Sequence, residues 1–380
     1  MSEPTHTRRH FLRATGVTVA AATPFAAAGD AVAAAMAGQQ AVPAPPAKTF
    51  GYAVVGLGGL SLSDILPAFA HTKSSRLTGL VSGSVDKAKA LAAQYGVPDK
   101  GLYSYDTYDR IADNPDIDAV YIVLPNFMHA EYTVRAHKAG KHVLVEKPMA
   151  NTVKECDEMI AAAKAANKYL AVAYRLRFEP YTQAMIKMVR DKELGKPKVI
   201  LCEAGFNTRN PDQWRLKKKE GGGGSMMDIG IYAVNAARYL SGEEPTEVFG
   251  MEYSTPDDPR FKEVEETINF QMRFPSGVLA NCVSSYGTNL NRFRVHAENG
   301  SFEMEPAYNR RALGMRVFRG NVVEQRSLRE PDHFAALMDH LAESAAKGTT
   351  PLTDGADGRN DMRVIEAIYE SVKTGRPVKL

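Results

Sequence analysis

Four short stretches of this sequence carry groups that could act together on one small molecule. The apolar run Tyr52-Ala53-Val54-Val55 ends in Gly56-Leu57-Gly58-Gly59-Leu60-Ser61. Gly56 and Gly58 at a strand-to-helix turn let bare backbone approach a pyrophosphate at the helix start, with Ser61 small in the third position. A second apolar run ends Leu80-Val81-Ser82-Gly83-Ser84, with Asp86 and Lys87 following. An NAD site would place Asp or Glu at that strand end for the ribose 2′-hydroxyl. Ser82, Gly83 and Lys87 instead suit a 2′-phosphate, so the sequence predicts NADP. Third, Lys147 ends the run Val143-Leu144-Val145-Glu146 and precedes Pro148. A lysine on a turn is ordinarily solvated; at the carboxyl end of a core strand it faces the nicotinamide. Fourth, glycines 221–224 run into Ser225-Met226-Met227-Asp228, with Tyr232 four residues on. A helix from Asp228 puts Asp228 and Tyr232 on one face. The glycines let the backbone approach something, or move.

These groups need a frame, and the apolar pattern supplies one. Strand-like runs at 52–55, 76–81, 119–124 and 142–145 alternate with helix-like runs to 69 and over 85–95, 129–139 and 153–166. That alternation predicts an α/β fold, a Rossmann-type doubly wound parallel sheet over residues 50–170. The 380 residues are 44% hydrophobic and 24% charged, enough for a sizeable core in two domains. A net charge of +3 gives no electrostatic case for nucleic acid. Cys156, Cys202 and Cys282 are too few and too scattered for a disulfide framework, and no metal-ligand spacing occurs. Beyond the N-terminus no run is apolar and long enough to predict a membrane span.

The first residues read as an address. Thr7-Arg8-Arg9-His10-Phe11-Leu12 precedes an Ala-rich, weakly apolar stretch with A-x-A patterns ending at Ala28 and Ala37. Residues 1–37 are therefore expected to be a twin-arginine export signal, which places the mature protein in the periplasm. Residues 38–49, with Pro43, Pro45 and Pro46, are expected to form an extended arm.

Glu146-Lys147-Pro148-Met149-Ala150, Asp228-Ile229-Gly230-Ile231-Tyr232 and Leu124-Pro125-Asn126 together resemble the glucose–fructose oxidoreductase/inositol dehydrogenase family. Val81-Ser82-Gly83, Trp214-Arg215-Leu216 and Arg238-Tyr239-Leu240-Ser241-Gly242-Glu243-Glu244-Pro245 narrow the resemblance to its exported aldose-oxidoreductase branch. The resemblance implies that an α+β domain, a large open and mostly antiparallel sheet, follows the Rossmann domain. Such a sheet would occupy residues 171–330 and join subunits into a homodimer or homotetramer, with closing helices over 331–380. Strand-like runs at 265–274, 278–285, 293–296, 302–305 and 316–318 agree, as do helix-like runs at 333–347 and 361–373.

By the same resemblance Lys147, Asp228 and Tyr232 are the catalytic group. Gly56, Gly58, Gly59, Leu60, Ser82, Gly83, Lys87, Leu124, Pro125, Asn126, His129, Glu146, Lys147, Arg175, Trp214 and Arg215 are the expected cofactor or pocket residues. Relatives often carry Lys-Tyr where this chain has Gly59-Leu60, so one cationic contact to the cofactor is absent. Oxidation of an aldose at C1 sends a hydride to the nicotinamide and removes the hydroxyl proton. A phenol is a poor base at neutral pH, and a nearby ammonium favours its ionised form. Tyr232 is then the proton acceptor, Lys147 its electrostatic partner and Asp228 an orienter of sugar hydroxyls; Lys147 as the base is the alternative. An exported NADP enzyme has no supply of free cofactor, which implies a retained NADP(H). One sugar would leave as lactone, and a second aldose or ketose would leave as alditol. A sugar dehydrogenase with exchangeable NADP, a redox-assisted glycosidase and a non-catalytic ligand-binding protein are the competing readings.

Overall fold

A computed structural model describes residues 50–380; the expected signal and arm lie outside the described residues. Six strands form the first sheet: Phe50–Val55 (β1), Ser75–Val81 (β2), Leu102–Tyr103 (β3), Ala119–Ile122 (β4), His142–Val145 (β5) and Leu170–Val172 (β6). Their order is β3-β2-β1-β4-β5-β6, and every pair is parallel. The order reverses between β1 and β4, so the carboxyl ends of these strands open the crevice where such sheets hold ligands. β4 is buried along its whole length, as its unbroken apolar sequence requires. The helices Val85–Tyr95 and Val153–Ala166 fall where the pattern predicts them, each opened by a hydroxyl cap, Ser84 and Thr152. The helix after the glycine turn differs: Leu66 donates to the Ser61 carbonyl five residues back. Pro67 has no N–H with which to continue an ordinary ladder. β3 and β6 are two and three residues long, too short to leave a period. Backbone of Thr353 covers β6, accepting from Val172 N at 2.7 Å.

The second sheet has nine strands: Pro197–Gly205 (β7), Glu247–Tyr253 (β8), Thr267–Arg273 (β9), Leu279–Ser285 (β10), Leu290–Ala297 (β11), Gly300–Met304 (β12), Met315–Arg319 (β13), Val322–Arg326 (β14) and Val378–Lys379 (β15). The order is β14-β13-β12-β11-β7-β10-β9-β8-β15. Only β7 and β10 run parallel; the other pairs are antiparallel. β9 shows why one face is covered: Ile268, Phe270 and Met272 point inward, while Asn269, Gln271 and Arg273 point out. The helices Pro180–Arg190, Ile231–Ser241 and Gly355–Thr374 pack on the apolar face. The opposite face exposes Met251, Tyr253 and Leu279. The two C-terminal helices part company. Phe334, Leu337, Met338 and Leu341 of His333–Lys347 join the apolar cluster of Tyr52, Val54 and Leu80 behind the first sheet. Gly355–Thr374 instead lies along β8 and against the helix Val153–Ala166. One apolar cluster runs from Val55 and Val145 through Met227 and Ile231 to Phe270 and Phe293, so both sheets share a core.

Candidate active site

The crevice between β1 and β4 is built from backbone. Gly56 sits at φ +94°, and a side chain there would strike the Val123 carbonyl. At Gly58 and Gly59 a side chain would meet nothing within 4 Å, so the turn opens onto free space of the kind a pyrophosphate needs. Leu60 is half-buried beside it, and the Ser61 hydroxyl donates to the Gly56 carbonyl, fixing the turn. At the end of β2, Ser82 is buried and its hydroxyl oxygen accepts from Ser84 N at 3.1 Å. Ser84 in turn accepts from Lys87 N at 3.4 Å, which leaves Gly83 and the Lys87 side chain exposed at the rim. A hydroxyl, an open amide and a cation thus stand where a carboxylate would exclude a 2′-phosphate. These features fit a bound dinucleotide.

At the carboxyl end of β5 the predicted catalytic residues meet. The Lys147 ammonium donates to the Asp228 backbone carbonyl and, at 3.2 Å, to Asp228 Oδ1. Arg215 Nε lies 3.1 Å from Asp228 Oδ2, and the Tyr286 hydroxyl donates to the same oxygen at 3.0 Å. Burial pushes the Asp228 carboxyl up, but Arg215, Lys147 and the Tyr286 hydrogen bond outweigh it and hold the group well below the usual carboxylate range. Asp228 is therefore an anion with three donors. Lys147 also stands 4.8 Å from the centre of the Tyr232 ring, facing the ring rather than bonding its hydroxyl. Arg175 approaches the same ring at 5.5 Å while donating to the Tyr308 and Asn309 carbonyls. Trp214 is half-buried and carries the Arg215 guanidinium over its indole at 4.3 Å.

Other expected contacts serve the frame. His129 is fully buried, with Nδ1 2.8 Å from the Pro148 carbonyl and Nε2 2.8 Å from the Leu124 carbonyl. Burial favours the neutral imidazole, which donates from one nitrogen only, so His129 braces the end of β4 against the end of β5 through whichever carbonyl takes its N–H. Glu146 points into the sheet, where Tyr121 donates to it at 2.7 Å. Burial raises its carboxyl above the ordinary range despite Tyr121 and Lys147. Asn126 donates to the Gly221 carbonyl at 2.9 Å, and Leu124 and Pro125 lead into it from the end of β4. Glycines 221–224 are packed, not loose. A side chain at Gly222 would come within 2.5 Å of Asn151 Oδ1, and one at Gly223 would strike the Tyr369 hydroxyl. Tyr286, just past β10, and Glu265, at the head of the strand-like run 265–274, carry no local signal of a place in the site. Neither stands in a local motif, because their partners lie about 40 to 60 residues away.

A doubly wound sheet with a glycine turn at its switch point, and a lysine, a carboxylate and a tyrosine at its carboxyl edge, defines a dinucleotide-dependent oxidoreductase. The chain belongs to the GFO/IDH/MocA family. A family model for its "NAD-binding Rossmann fold" matches residues 50–174, and one for its "C-terminal alpha/beta domain" matches 186–380. It is similar to aldose-aldose oxidoreductase from Caulobacter crescentus, solved with glycerol, at 48% identity and a TM-score of 0.86. That match covers 88% of this chain and all of that one. D-xylose 1-dehydrogenase [NADP(+)] of Haloarcula marismortui is 30% identical over 338 residues, 87% of this chain and 92% of its own. A 3-ketoreductase from Actinomadura kijaniata, solved with NADP and TDP-benzene, shares the fold at a TM-score of 0.76 and 22% identity, over 85% of this chain and 98% of its own.

Proposed function

We propose that this protein is a periplasmic aldose oxidoreductase that retains NADP(H) and passes a hydride between two sugars in turn. The observation that carries the reading is the Lys147–Asp228–Arg215–Tyr286 cluster beside Tyr232 at the carboxyl end of β5. The 48% identity to an aldose-aldose oxidoreductase supports it. Gly56, Gly58, Gly59, Ser82, Gly83 and Lys87 would hold the NADP, which supplies the hydride acceptor and donor. An ammonium already donating to a carboxylate and a carbonyl is a hydrogen-bond donor, so Lys147 binds and polarises the sugar C1 oxygen. Tyr232 takes the C1 hydroxyl proton, with Lys147 and Arg175 as the positive charges that compensate it. The Asp228 carboxylate accepts from neighbouring sugar hydroxyls and keeps Lys147 aimed. Reduction of the second sugar, an aldose or ketose, returns that proton from Tyr232 to the new alkoxide. Lactone leaves before the second sugar enters, a ping-pong sequence that ends in an alditol.

The Arg8-Arg9 address supports export after folding, which favours a cofactor that travels inside the protein. The exposed Met251, Tyr253 and Leu279 on the open sheet support a homodimer or homotetramer through that face. Mass spectrometry of cofactor released from protein purified without added NADP tests the reading. Near-stoichiometric NADP(H), with turnover of an aldose pair and no added cofactor, is the expected result. An empty protein that turns over only with excess free NADP would replace it with an ordinary sugar dehydrogenase.

A further inference from the structure

Glu265, just before β9, is far in sequence from the Asp228–Tyr232 segment but not in space. Its Oε2 accepts from Gly224 N at 2.9 Å, and its Oε1 accepts from Met226 N at 2.9 Å. Its own backbone carbonyl accepts from Ser225 N at 3.4 Å. Three consecutive amides, the first donors of the helical segment that carries Asp228 and Tyr232, therefore converge on one residue. Helix starts leave such amides without partners and carry partial positive charge, and a short local side chain normally answers them. Here Ser225 itself forms no cap; its hydroxyl is 3.1 Å from that of Ser284. The carboxylate that answers them comes from the second sheet and is itself held by the Tyr369 hydroxyl, which donates to Oε1 at 3.0 Å. Gly224 completes the fit, since a side chain there would collide with the Glu265 carbonyl.

We infer that Glu265 is a positioning residue for the hydride-transfer reaction, a cap supplied across the fold that aims Asp228 and Tyr232 at Lys147. Met226 is two residues before Asp228, so the orientation of the Asp228 carbonyl and carboxylate toward the ammonium follows from where the carboxylate catches the chain. Glu265 acts through this segment: its hydrogen-bond partners there are Gly224, Ser225, Met226 and Tyr369, and neither Lys147 nor the nucleotide crevice is among them. The activity readout rests on the sugar oxidoreductase reading; the exchange readout does not.

The test is Glu265→Gln in the full chain with its cofactor bound. The amide NH2 then faces an N–H or O–H donor, which breaks one contact and weakens the rest. Hydrogen exchange should show faster exchange across residues 224–232 while β7, β10 and β11 keep their protection. Sugar-dependent kcat should fall about tenfold or more, with KM and bound cofactor near wild type. Wild-type kcat in a less stable protein, or exchange raised evenly across the second sheet, would overturn the inference. If the variant does not fold, Tyr369→Phe is read instead. A two- to threefold loss of kcat supports the inference, and an unchanged kcat overturns it. A wild-type protein inert to every aldose sinks the sugar reading and leaves the exchange pattern to decide Glu265.

Discussion

Two glycine-rich turns serve this site, and they use the same residue for opposite ends. In the first, Gly58 and Gly59 border empty space, and the backbone is left bare for a ligand. In the second, residues 221–224 are pressed against Arg215, Asn151, Tyr369 and Glu265, and the backbone is bare so that protein can close on it. Glycine marks close approach in both cases; only the surroundings say whether a ligand or the protein itself does the approaching. The first turn is open to a dinucleotide; the second is closed by protein. The two turns also differ in how many partners hold them. The Gly56 turn is pinned by the Ser61 hydroxyl and the β1 register, whereas the second is held by two carboxylate oxygens, Asn126 and Asn151.

That contrast predicts different losses when each turn is filled. Gly224→Ala forces a methyl against the Glu265 carbonyl and should destabilise the fold by roughly 1–3 kcal/mol, with turnover largely lost. Thermal unfolding beside activity checks it, and a variant with wild-type Tm and kcat would show that the second turn is loose after all. Gly58→Val should leave the Tm of cofactor-free protein within a degree or two. Its NADP(H) content should fall sharply, by about a hundredfold in affinity (~2.7 kcal/mol), because the branch fills the pyrophosphate's place. Ser82→Asp sets a carboxylate beside the 2′-phosphate and should shift the NADP-over-NAD preference by about tenfold toward NAD, measured by cofactor titration.

The smallest effect concerns the sheets behind the turns. Burial lowers His137, in the helix His129–Lys138, and His142, on β5, to about 4. Between about pH 6.5 and that value the unfolded chain binds more protons than the folded one. Their contribution to stability is therefore lost as pH falls through that window. Asp361, which pairs with Arg238 and Asn235 of the helix Ile231–Ser241, is raised to about 6, chiefly by burial and despite Arg238. From about 4 to 6 the folded state holds its proton more tightly, so Asp361 contributes stability on acidification and opposes the histidines. His142→Gln should flatten the fall in Tm between pH 6.5 and 4.5, and Asp361→Asn should steepen it.

Much of this arrangement is visible in the chain itself, and the reason is range. Gly56 and Ser61 act within five residues of each other, Ser82, Ser84 and Lys87 likewise, and the helix Val85–Tyr95 announces itself by Ser84 and Gly96 at its ends. Lys147 is legible because an apolar strand ends at it. His129 is expected near the cofactor from the resemblance alone; that its ring lies buried between the Pro148 and Leu124 carbonyls is set by the packing of β4 against β5. Tyr286 lies one residue beyond β10, and periodicity says nothing about which way a residue beyond a strand end turns.

The sequence by itself determined the α/β alternation of the longer strands and helices, the glycine turn after β1 and the residue types at the crevice. Each of these follows from spacing along the chain, where sterics and burial act locally. Tertiary structure alone decided that Arg215 and Tyr286 share Asp228 with Lys147, that Glu265 caps the segment aiming them, and that the second glycine run is closed. Apart from Arg215, which is near Asp228 in the chain, those outcomes depend on buried charges finding partners about 40 to 80 residues away. An unpaired buried carboxylate or amide is costly, so folding must bring such partners together, but no local pattern records which ones they are.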